Sequence, residues 1–331
     1  MTGFKDILGQ SGIIEHLQNV IKLKKSSHAY IFSGEAGMGK KMLAKIFAQT
    51  LQCEKGDIEP CMECKSCKQT LSMNQPDIKW LIHEKPTTIS VEEVREQIND
   101  DISIKPYSSP RKIYIIDEAE KMTTSAQNAL LKTIEEPPEY GVILLLTTNS
   151  SSLLPTIQSR CVELSMKALD KEMIKKHLIE KENIPADQAE MAAIFSGGNL
   201  GKAIKLAVSE HFEQLMGDVL YIVKNIEYMS SAEVGEYIKK TEGYRVEIDE
   251  YLDLMRMWYR DVLMYKVSKD ISEVIFRDEY KAIIDQAAQL SYNGLEIIIE
   301  AIEKVKIRLK SNVNYELVIE LLYLTIREQM E

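Results

Sequence analysis

The stretch that decides the fold is Gly34-Glu35-Ala36-Gly37-Met38-Gly39-Lys40-Lys41. It follows a short apolar run at 29–32 and precedes a helical pattern at 42–48. Strand, glycine-rich turn and helix, in that order, are the context that a phosphate-binding loop requires. The glycines let successive backbone N–H groups turn toward phosphate oxygens, and the start of the helix adds a partial positive charge. The candidate phosphate ligands are Gly34, Gly37, Gly39 and Lys40.

The eighth position of this loop departs from the pattern of a phosphate-cleaving enzyme. Lys40 stands where a lysine reaches the terminal phosphates of a nucleotide, but the residue after it is Lys41. An ATPase needs Ser or Thr there, because that hydroxyl is a ligand of Mg²⁺. We therefore expect a loop that can hold phosphate but lacks one group needed to cleave it.

Length and charge limit the possible classes of function. A chain of 331 residues has room for two or three domains, each with enough apolar content for a core. The formal net charge of −10 argues against a general electrostatic binder of nucleic acid, so any DNA contact must be local or made by a larger assembly. The N-terminus lacks the pattern of a signal peptide and no apolar run reaches membrane-spanning length, which predicts a soluble cytoplasmic protein.

Four cysteines form a candidate metal site after the helix that follows the loop. Cys53, Cys61, Cys64 and Cys67 supply a complete tetrahedral set of thiolates for Zn²⁺, and two-residue spacers let one tight turn present neighbouring sulfurs to one ion. No open ligand position is evident, so we expect a structural site. Free cysteines or a redox pair are the alternatives, although a redox pair belongs in a thioredoxin-like βαβ context that is absent from the surrounding sequence.

The first 165 residues alternate strands with helices, which predicts a parallel sheet covered on both faces. Strands are expected at 76–82, 112–118, 142–149 and 162–164, of which 76–82 and 142–149 should be buried. Helices are expected after Ser90 and over 119–135. Beyond about residue 165 the pattern becomes all helical, as expected for new domains.

The strand at 112–118 ends in two carboxylates, Asp117 and Glu118. Beside a phosphate-binding loop, an Asp in this place holds the Mg²⁺ shell and a Glu can polarise the attacking water. A solvated acidic strand end is the alternative. The loop upstream favours the nucleotide site.

These motifs together resemble those of bacterial clamp-loader AAA+ subunits. The resemblance rests on the loop, on the acidic pair, on the run Asn-Ala-Leu-Leu-Lys-Thr-Ile-Glu-Glu-Pro-Pro at 128–138, and on Ser159-Arg160-Cys161. The cysteines fall where that family keeps its zinc module. The resemblance implies three domains: an AAA+ domain at 1–165 with the zinc module at 53–67, a helical lid at 166–210 and a helical collar at 211–331.

Two subunit types of that family fit the chain. The motor type carries Thr after the loop lysine and an Arg in the sensor-2 helix, whereas this chain has Lys41 and Gly201. Lys202 lies beside Gly201, but a lysine has no forked guanidinium. The match is closer to the delta-prime type, whose own nucleotide site is degenerate. Because Lys40 and the acidic pair are retained, binding of ATP and Mg²⁺ stays open.

The resemblance also gives roles to two residues outside the loop. Arg160 is implied to be a finger that reaches the ATP of a neighbouring subunit, where a guanidinium stabilises charge on the γ-phosphate. Its alternative is a salt bridge at a domain edge. Thr148 falls at the family's sensor-1 position. The implied partners are motor subunits and a delta subunit in a hetero-pentamer, the sliding clamp, and primed DNA through the complex.

The function expected from the resemblance is that of a scaffold, which lends Arg160 to a neighbouring ATPase during loading of the sliding clamp onto primed DNA. A motor subunit of the same family that hydrolyses ATP is one alternative. A kinase or transferase with a small-molecule acceptor is another, but it needs an acceptor-binding insertion, and the insertion found at 53–67 is filled by cysteines.

Overall fold

The protein is described by a computed structural model that covers residues 3–311 and 313–330. Contacts between Cα atoms divide the chain into two compact units, Met1–Ala207 and Val208–Glu331. The division falls close to the predicted start of the collar, and it keeps residues 166–207 with the sheet. The separate lid at 166–210 stays a prediction. Among the described residues, no helix is both long and apolar enough to cross a bilayer.

The first unit is built on a parallel sheet of five strands within the described residues, in the order β2-β3-β4-β1-β5. This confirms the predicted α/β class. The strands are β1 (Ala29–Ser33), β2 (Ile78–Trp80), β3 (Lys112–Ile116), β4 (Gly141–Thr147) and β5 (Val162–Ser165). The helices between and before them are α1 (Ser11–Lys22), α2 (Lys40–Leu51), α3 (Lys65–Leu71), α4 (Val91–Val94), α5 (Asp100–Ile102), α6 (Thr124–Glu135) and α7 (Pro155–Gln158).

Hydrophobic cores cover both faces of the sheet. In β1, Tyr30 and Phe32 pack in the core that includes residues of α1 and α2, while Ile31 packs in the core that includes residues of α4 and α6. Successive side chains of a strand point to opposite faces, and a parallel sheet is covered on both. This explains why β1, β3 and β4 are buried along their whole length and mostly apolar.

The strand predicted at 76–82 is shorter and less buried than expected. Strand β2 spans only Ile78–Trp80, is half-buried and pairs with β3 alone, at the edge of the sheet. After the strand, the side chain of Gln97 bonds both the N–H and the carbonyl of Ile82, at 2.9 and 2.6 Å. The prediction of a buried strand was wrong because this apolar run lies at an edge, where side chains satisfy the backbone.

The helix predicted at 119–135 begins five residues later, at Thr124. Glu118 adopts a left-handed conformation (φ 50°), and a 3₁₀ turn follows at Ala119–Lys121. Thr123 then caps α6, since its side-chain oxygen accepts from the N–H of Ala126 at 3.2 Å. The cap at Ser90 is confirmed, because Ser90 and Glu93 form a capping box at the start of α4.

Three helices complete the first unit: α8 (Lys171–Lys181), α9 (Ala186–Phe195) and α10 (Leu200–Ala207). The second unit consists of α11 (Glu210–Asn225), α12 (Ser231–Thr241), α13 (Ile248–Ser268), α14 (Tyr280–Gln289), α15 (Tyr292–Lys310) and α16 (Tyr315–Met330), with short 3₁₀ turns between them. Its core holds Trp258, whose indole N–H donates to Gln286 at 2.8 Å. Trp258 therefore belongs to a packed interior and has its polar atom satisfied, whereas the buried hydroxyl of Tyr259 has no hydrogen-bond partner among the described residues.

Candidate functional site

The glycine-rich loop joins the end of β1 to the start of α2. Gly37 and Gly39 have positive φ angles of 91° and 95°, which side-chain-bearing residues rarely adopt. Alternation of left-handed and right-handed residues forms a concave nest of backbone N–H groups, the usual cradle for an anion. The sequence thus folds into the predicted loop, and Gly34, also at positive φ, begins it.

Lys40, the predicted phosphate ligand, is buried and turned onto its own loop. Its Nζ donates to the carbonyl oxygens of Gly34 and Glu35, at 2.5 and 2.9 Å. Burial lowers the pKa of Lys40, while nearby carboxylates led by that of Glu120 oppose the shift. An ammonium carries three N–H groups, so these two bonds leave one donor for a ligand.

Lys41 and Asp117 form an ion pair across the carboxyl edge of the sheet. The Nζ of Lys41 lies 2.6 Å from Oδ2 of Asp117. Glu118, the second predicted carboxylate, lies beside it and pairs with Lys121 at 2.7 Å. Each of the two predicted carboxylates therefore has a cationic partner from the chain itself.

Thr148 is held by Glu120, a residue that was not predicted to belong to the site. Both the hydroxyl and the N–H of Thr148 donate to Oε1 of Glu120, at 2.5 and 3.2 Å. Burial acts to raise the pKa of the Glu120 carboxyl, but hydrogen bonds led by that of Thr148 outweigh burial and lower it. The available signal was a third acidic residue three positions after Asp117, on the turn that leaves β3.

The predicted residues of the nucleotide site surround one cavity of about 440 Å³. All of them except Gly34 line it: Gly37, Gly39, Lys40, Lys41, Asp117, Glu118 and Thr148. Glu120 completes the wall beside Thr148. The cavity lies at the carboxyl ends of parallel strands, where open α/β sheets bind ligands.

Two residues at the start of α10 contact the outside of the loop. The side-chain amide of Asn199 donates to the carbonyl of Ala36 at 2.7 Å, and the N–H of Gly201 donates to that of Gly37 at 3.1 Å. A Cβ on Gly201 would lie 2.5 Å from the Gly37 oxygen and 2.8 Å from its Cα. Position 201, to which the resemblance assigns the arginine of the motor type, therefore has no room for a side chain here.

The four predicted cysteines come together. Their sulfur atoms all lie within 4.8 Å of one another, and those of Cys61 and Cys67 are 4.0 Å apart. Tetrahedral Zn²⁺ with bonds of about 2.3 Å places its sulfurs about 3.8 Å apart. Backbone N–H groups of Cys61, Cys64 and Cys67 donate to the sulfurs of Cys53, Cys61 and Cys64, at 3.4, 3.4 and 3.3 Å. The cluster can hold a metal ion.

The cysteine sulfurs also differ in their surroundings. The N–H of Cys64 lowers the pKa of Cys61 to about 6, whereas burial raises the pKa of Cys67. A cation at the centre of the cluster would favour the thiolate form of all four. Cys161, outside this cluster, packs against a core, and burial raises its pKa to about 12, so its thiol stays protonated at neutral pH.

Arg160 lies on the turn between α7 and β5, far along the chain from the loop. Its Nε pairs with Glu135 at 3.0 Å, at the last residue of α6. Its Nη1 donates to the carbonyl of Thr156 and the hydroxyl of Ser159, at 3.1 and 3.2 Å. No acceptor in the described residues bonds Nη2, and the side chain is 41% exposed. Arg160 is therefore oriented on two sides and open on a third.

The chain is similar to known subunits of DNA polymerase III. A family profile described as "DNA polymerase III, delta subunit" matches residues 9–170. The delta' subunit of DNA polymerase III from Bacillus subtilis is 29% identical over 330 residues, covering 96% of each chain. The tau subunit of the same organism is 29% identical over 330 residues, covering 92% of this chain, which spans only 58% of tau.

A gamma subunit provides the third similarity. That of Buchnera aphidicola (subsp. Acyrthosiphon pisum) is 30% identical over 314 residues, covering 86% of this chain and 84% of its own length. The similarity therefore extends through both units and beyond the glycine-rich loop. This chain belongs to the DNA polymerase III clamp-loader family of AAA+ subunits and lies near the delta-prime type.

Proposed function

We propose that this chain is a delta-prime-type scaffold, which lends Arg160 to the ATP site of a neighbouring motor subunit. The observation that carries the proposal is the orientation of the guanidinium. Glu135, Thr156 and Ser159 hold two of its nitrogens, and Nη2 is left without an acceptor among the described residues. A fork fixed in this way is suited to an oxygen of a phosphate brought by another chain.

The state of the chain's own loop supports the same division of labour. Lys41 replaces the hydroxyl ligand of Mg²⁺ and pairs with Asp117, and Gly201 removes the sensor-2 arginine. A site without these two groups lacks the parts that neutralise charge on a transferring phosphate. The scaffold then acts in a cytoplasmic hetero-pentamer with motor subunits and a delta subunit. That complex places the sliding clamp on primed DNA.

The test is DNA-stimulated ATP turnover of the complex reconstituted with its motor subunits from the same organism. Arg160→Ala should leave assembly intact and slow turnover, since a finger is worth about 10³-fold or more at the site that it completes. Arg95→Ala, an exposed arginine of the same unit, is the matched control and should turn over normally. Equal turnover of both variants would overturn the finger assignment.

A motor function is the second candidate, because Lys40 and Asp117 are retained and tau and gamma relatives match most of the chain. This candidate predicts that the isolated chain hydrolyses ATP with Mg²⁺ and that Lys40→Ala abolishes this activity. No turnover by the isolated chain favours the scaffold.

We further propose that the ion of the four-cysteine cluster is structural Zn²⁺. A complete set of four thiolates leaves no position for substrate, which is typical of structural sites. Protein purified under reducing conditions should contain one zinc per chain by elemental analysis. Removal of the ion should lower the midpoint of thermal unfolding, because the binding free energy of a structural ion adds to that of folding. A purified chain without metal would contradict this assignment.

A further inference from the structure

The residues around the cavity do not fit Mg²⁺. A divalent ion would need the carboxylate of Asp117 and a hydroxyl from the residue after Lys40. That residue is Lys41, and its ammonium already lies 2.6 Å from Oδ2 of Asp117. An ammonium has no lone pair to offer a metal, and it repels a second cation. The place of the metal is taken by a positive charge of the chain.

The backbone N–H groups that would bind a phosphate are nevertheless in place. Within the described part of the chain, no acceptor takes the backbone N–H groups of Gly37, Gly39, Lys40 or Lys41. These four residues line the cavity. Unsatisfied N–H groups at a nest and at the start of a helix are donors suited to phosphate oxygens.

Hydrogen bonds to the carbonyls of the loop hold this nest in shape. The carbonyls of Ala36 and Gly37 accept from Asn199 and Gly201, while those of Gly34 and Glu35 accept from Lys40. Four consecutive carbonyl groups are thus bonded by the protein. Because these carbonyl groups are already bonded, the loop needs little reorganisation to present its backbone N–H groups to a ligand.

The acidic residues of the cavity are also engaged. Asp117 pairs with Lys41, Glu118 pairs with Lys121, and Glu120 accepts from Thr148. Asp117 and Glu118 therefore each have a cation of the chain beside them, which reduces their repulsion of an anion. Glu120 has only the neutral donors of Thr148 on Oε1, and its buried Oε2 has no hydrogen-bond partner among the described residues. An incoming anion meets the third N–H of Lys40 and the ammonium of Lys41 on the side of the loop.

We propose that this cavity binds a phosphate-chain anion, such as pyrophosphate or the phosphate end of a nucleotide, without a divalent metal. The ammonium of Lys41 takes the place of Mg²⁺. The inference goes beyond the scaffold function and does not rest on it, because Arg160 plays no part in it. It assigns the loop a ligand that the loop holds and does not cleave.

The test is isothermal titration of the full chain with pyrophosphate, with ADP and with ATP, each in excess EDTA and in excess Mg²⁺. The wild type should bind in EDTA, and Mg²⁺ should weaken binding because the metal lowers the charge of the ligand. Comparable affinity for all three ligands identifies the phosphate chain as the part recognised, whereas tighter binding of ADP and ATP shows that the nucleoside adds contacts. Absence of binding in EDTA would overturn the proposal.

The decisive variant is Lys41→Thr, which removes the ammonium and restores the hydroxyl. Loss of one charged donor should weaken binding in EDTA by about tenfold, and Mg²⁺ should then strengthen binding. Lys45→Thr, one turn further along α2 and outside the cavity wall, changes the net charge equally and should bind like the wild type. Lys41 is largely exposed, so the variant should fold, which circular dichroism can verify. Equal metal dependence in the wild type and Lys41→Thr would contradict the role of Lys41.

Discussion

The nucleotide cavity and the surface around Arg160 use their cations in different ways. In the cavity, Lys40 donates hydrogen bonds to two carbonyl groups of the loop, and Lys41 forms an ion pair with one carboxylate. Arg160 is also held by the chain, yet Nη2 lacks an acceptor among the described residues. We infer from this difference that binding a phosphate chain and stabilising its cleavage can be carried out by separate sites. We propose that this chain performs the first in its own loop and offers the second to a neighbouring subunit.

A substitution at the contact between α10 and the glycine-rich loop of the cavity should have the largest effect on stability. Gly201→Ala would place a Cβ 2.5 Å from a backbone oxygen that cannot move freely. We expect a loss of about 2 kcal/mol in the free energy of unfolding of the first unit. Denaturant titration of the full chain measures it.

Gly12→Ala is the control for that experiment. Gly12 also lies in a helix of the first unit, and a Cβ added there meets no atom within 4 Å. This variant should be neutral or slightly stabilising, because Ala has the higher helix propensity. If the two variants lose the same stability, α10 does not hold the loop as the structure indicates.

The ion pair behind Arg160 has a smaller expected effect. We predict that Glu135→Ala slows ATP turnover of the reconstituted complex about threefold to fivefold, since exposed ion pairs are worth up to about 1 kcal/mol. Glu135→Gln should keep most of the rate, because an amide oxygen can still accept from Nε. Glu136→Ala, at the exposed neighbouring carboxylate, is the control.

A merely structural role of Glu135 makes a different prediction for the same variants. It would lower the stability of the chain without changing the rate of assembled complexes. Unfolding curves of the isolated variants therefore accompany the kinetic measurement. A rate that falls equally for Glu135→Ala and Glu136→Ala would remove the positioning role.

Substitution of Glu120 should have the smallest effect on stability, and that effect should depend on pH. Its pKa is lowered in the folded chain, so its contribution is present above the unfolded value and is lost as pH falls through the folded value. Glu120→Gln should therefore lower the free energy of unfolding by up to about 1 kcal/mol at neutral pH. The difference from the wild type should begin to shrink as the pH falls below the ordinary pKa of 4.5, and it should disappear once the pH lies below the lowered pKa of Glu120 in the folded chain. A difference that stays constant with pH would contradict this account of Thr148 and Glu120.

Much of the fold and part of the site could be predicted from the sequence, because the signals were local. The loop, the cysteine spacing and the cap at Ser90 each depend on residues close together in the chain. The apolar run that contains β2 could not be recognised as an edge strand, since an edge is a property of the whole sheet. The start of α6 was displaced because a left-handed residue and a Thr cap interrupt a run with helical periodicity.

The contacts of Asn199 and Gly201 with the loop were not predicted, for one physical reason. Asn199 and Gly201 reach the loop from a helix at the end of the first unit, and no local pattern relates them to Ala36 or Gly37. The absence of the arginine at 201 was visible in the sequence. The close backbone contact that explains it depends on how two distant segments pack.

The central claim is that this chain acts on ATP through Arg160 in a neighbouring site. The most direct measurement is single-turnover hydrolysis in a complex where only the motor subunit beside this chain keeps a competent ATP site. If Arg160 is the finger, Arg160→Ala should leave ATP binding near normal and slow hydrolysis by about 10³-fold or more, and Arg160→Lys should recover little of the rate. An undiminished rate with Arg160→Ala would contradict it.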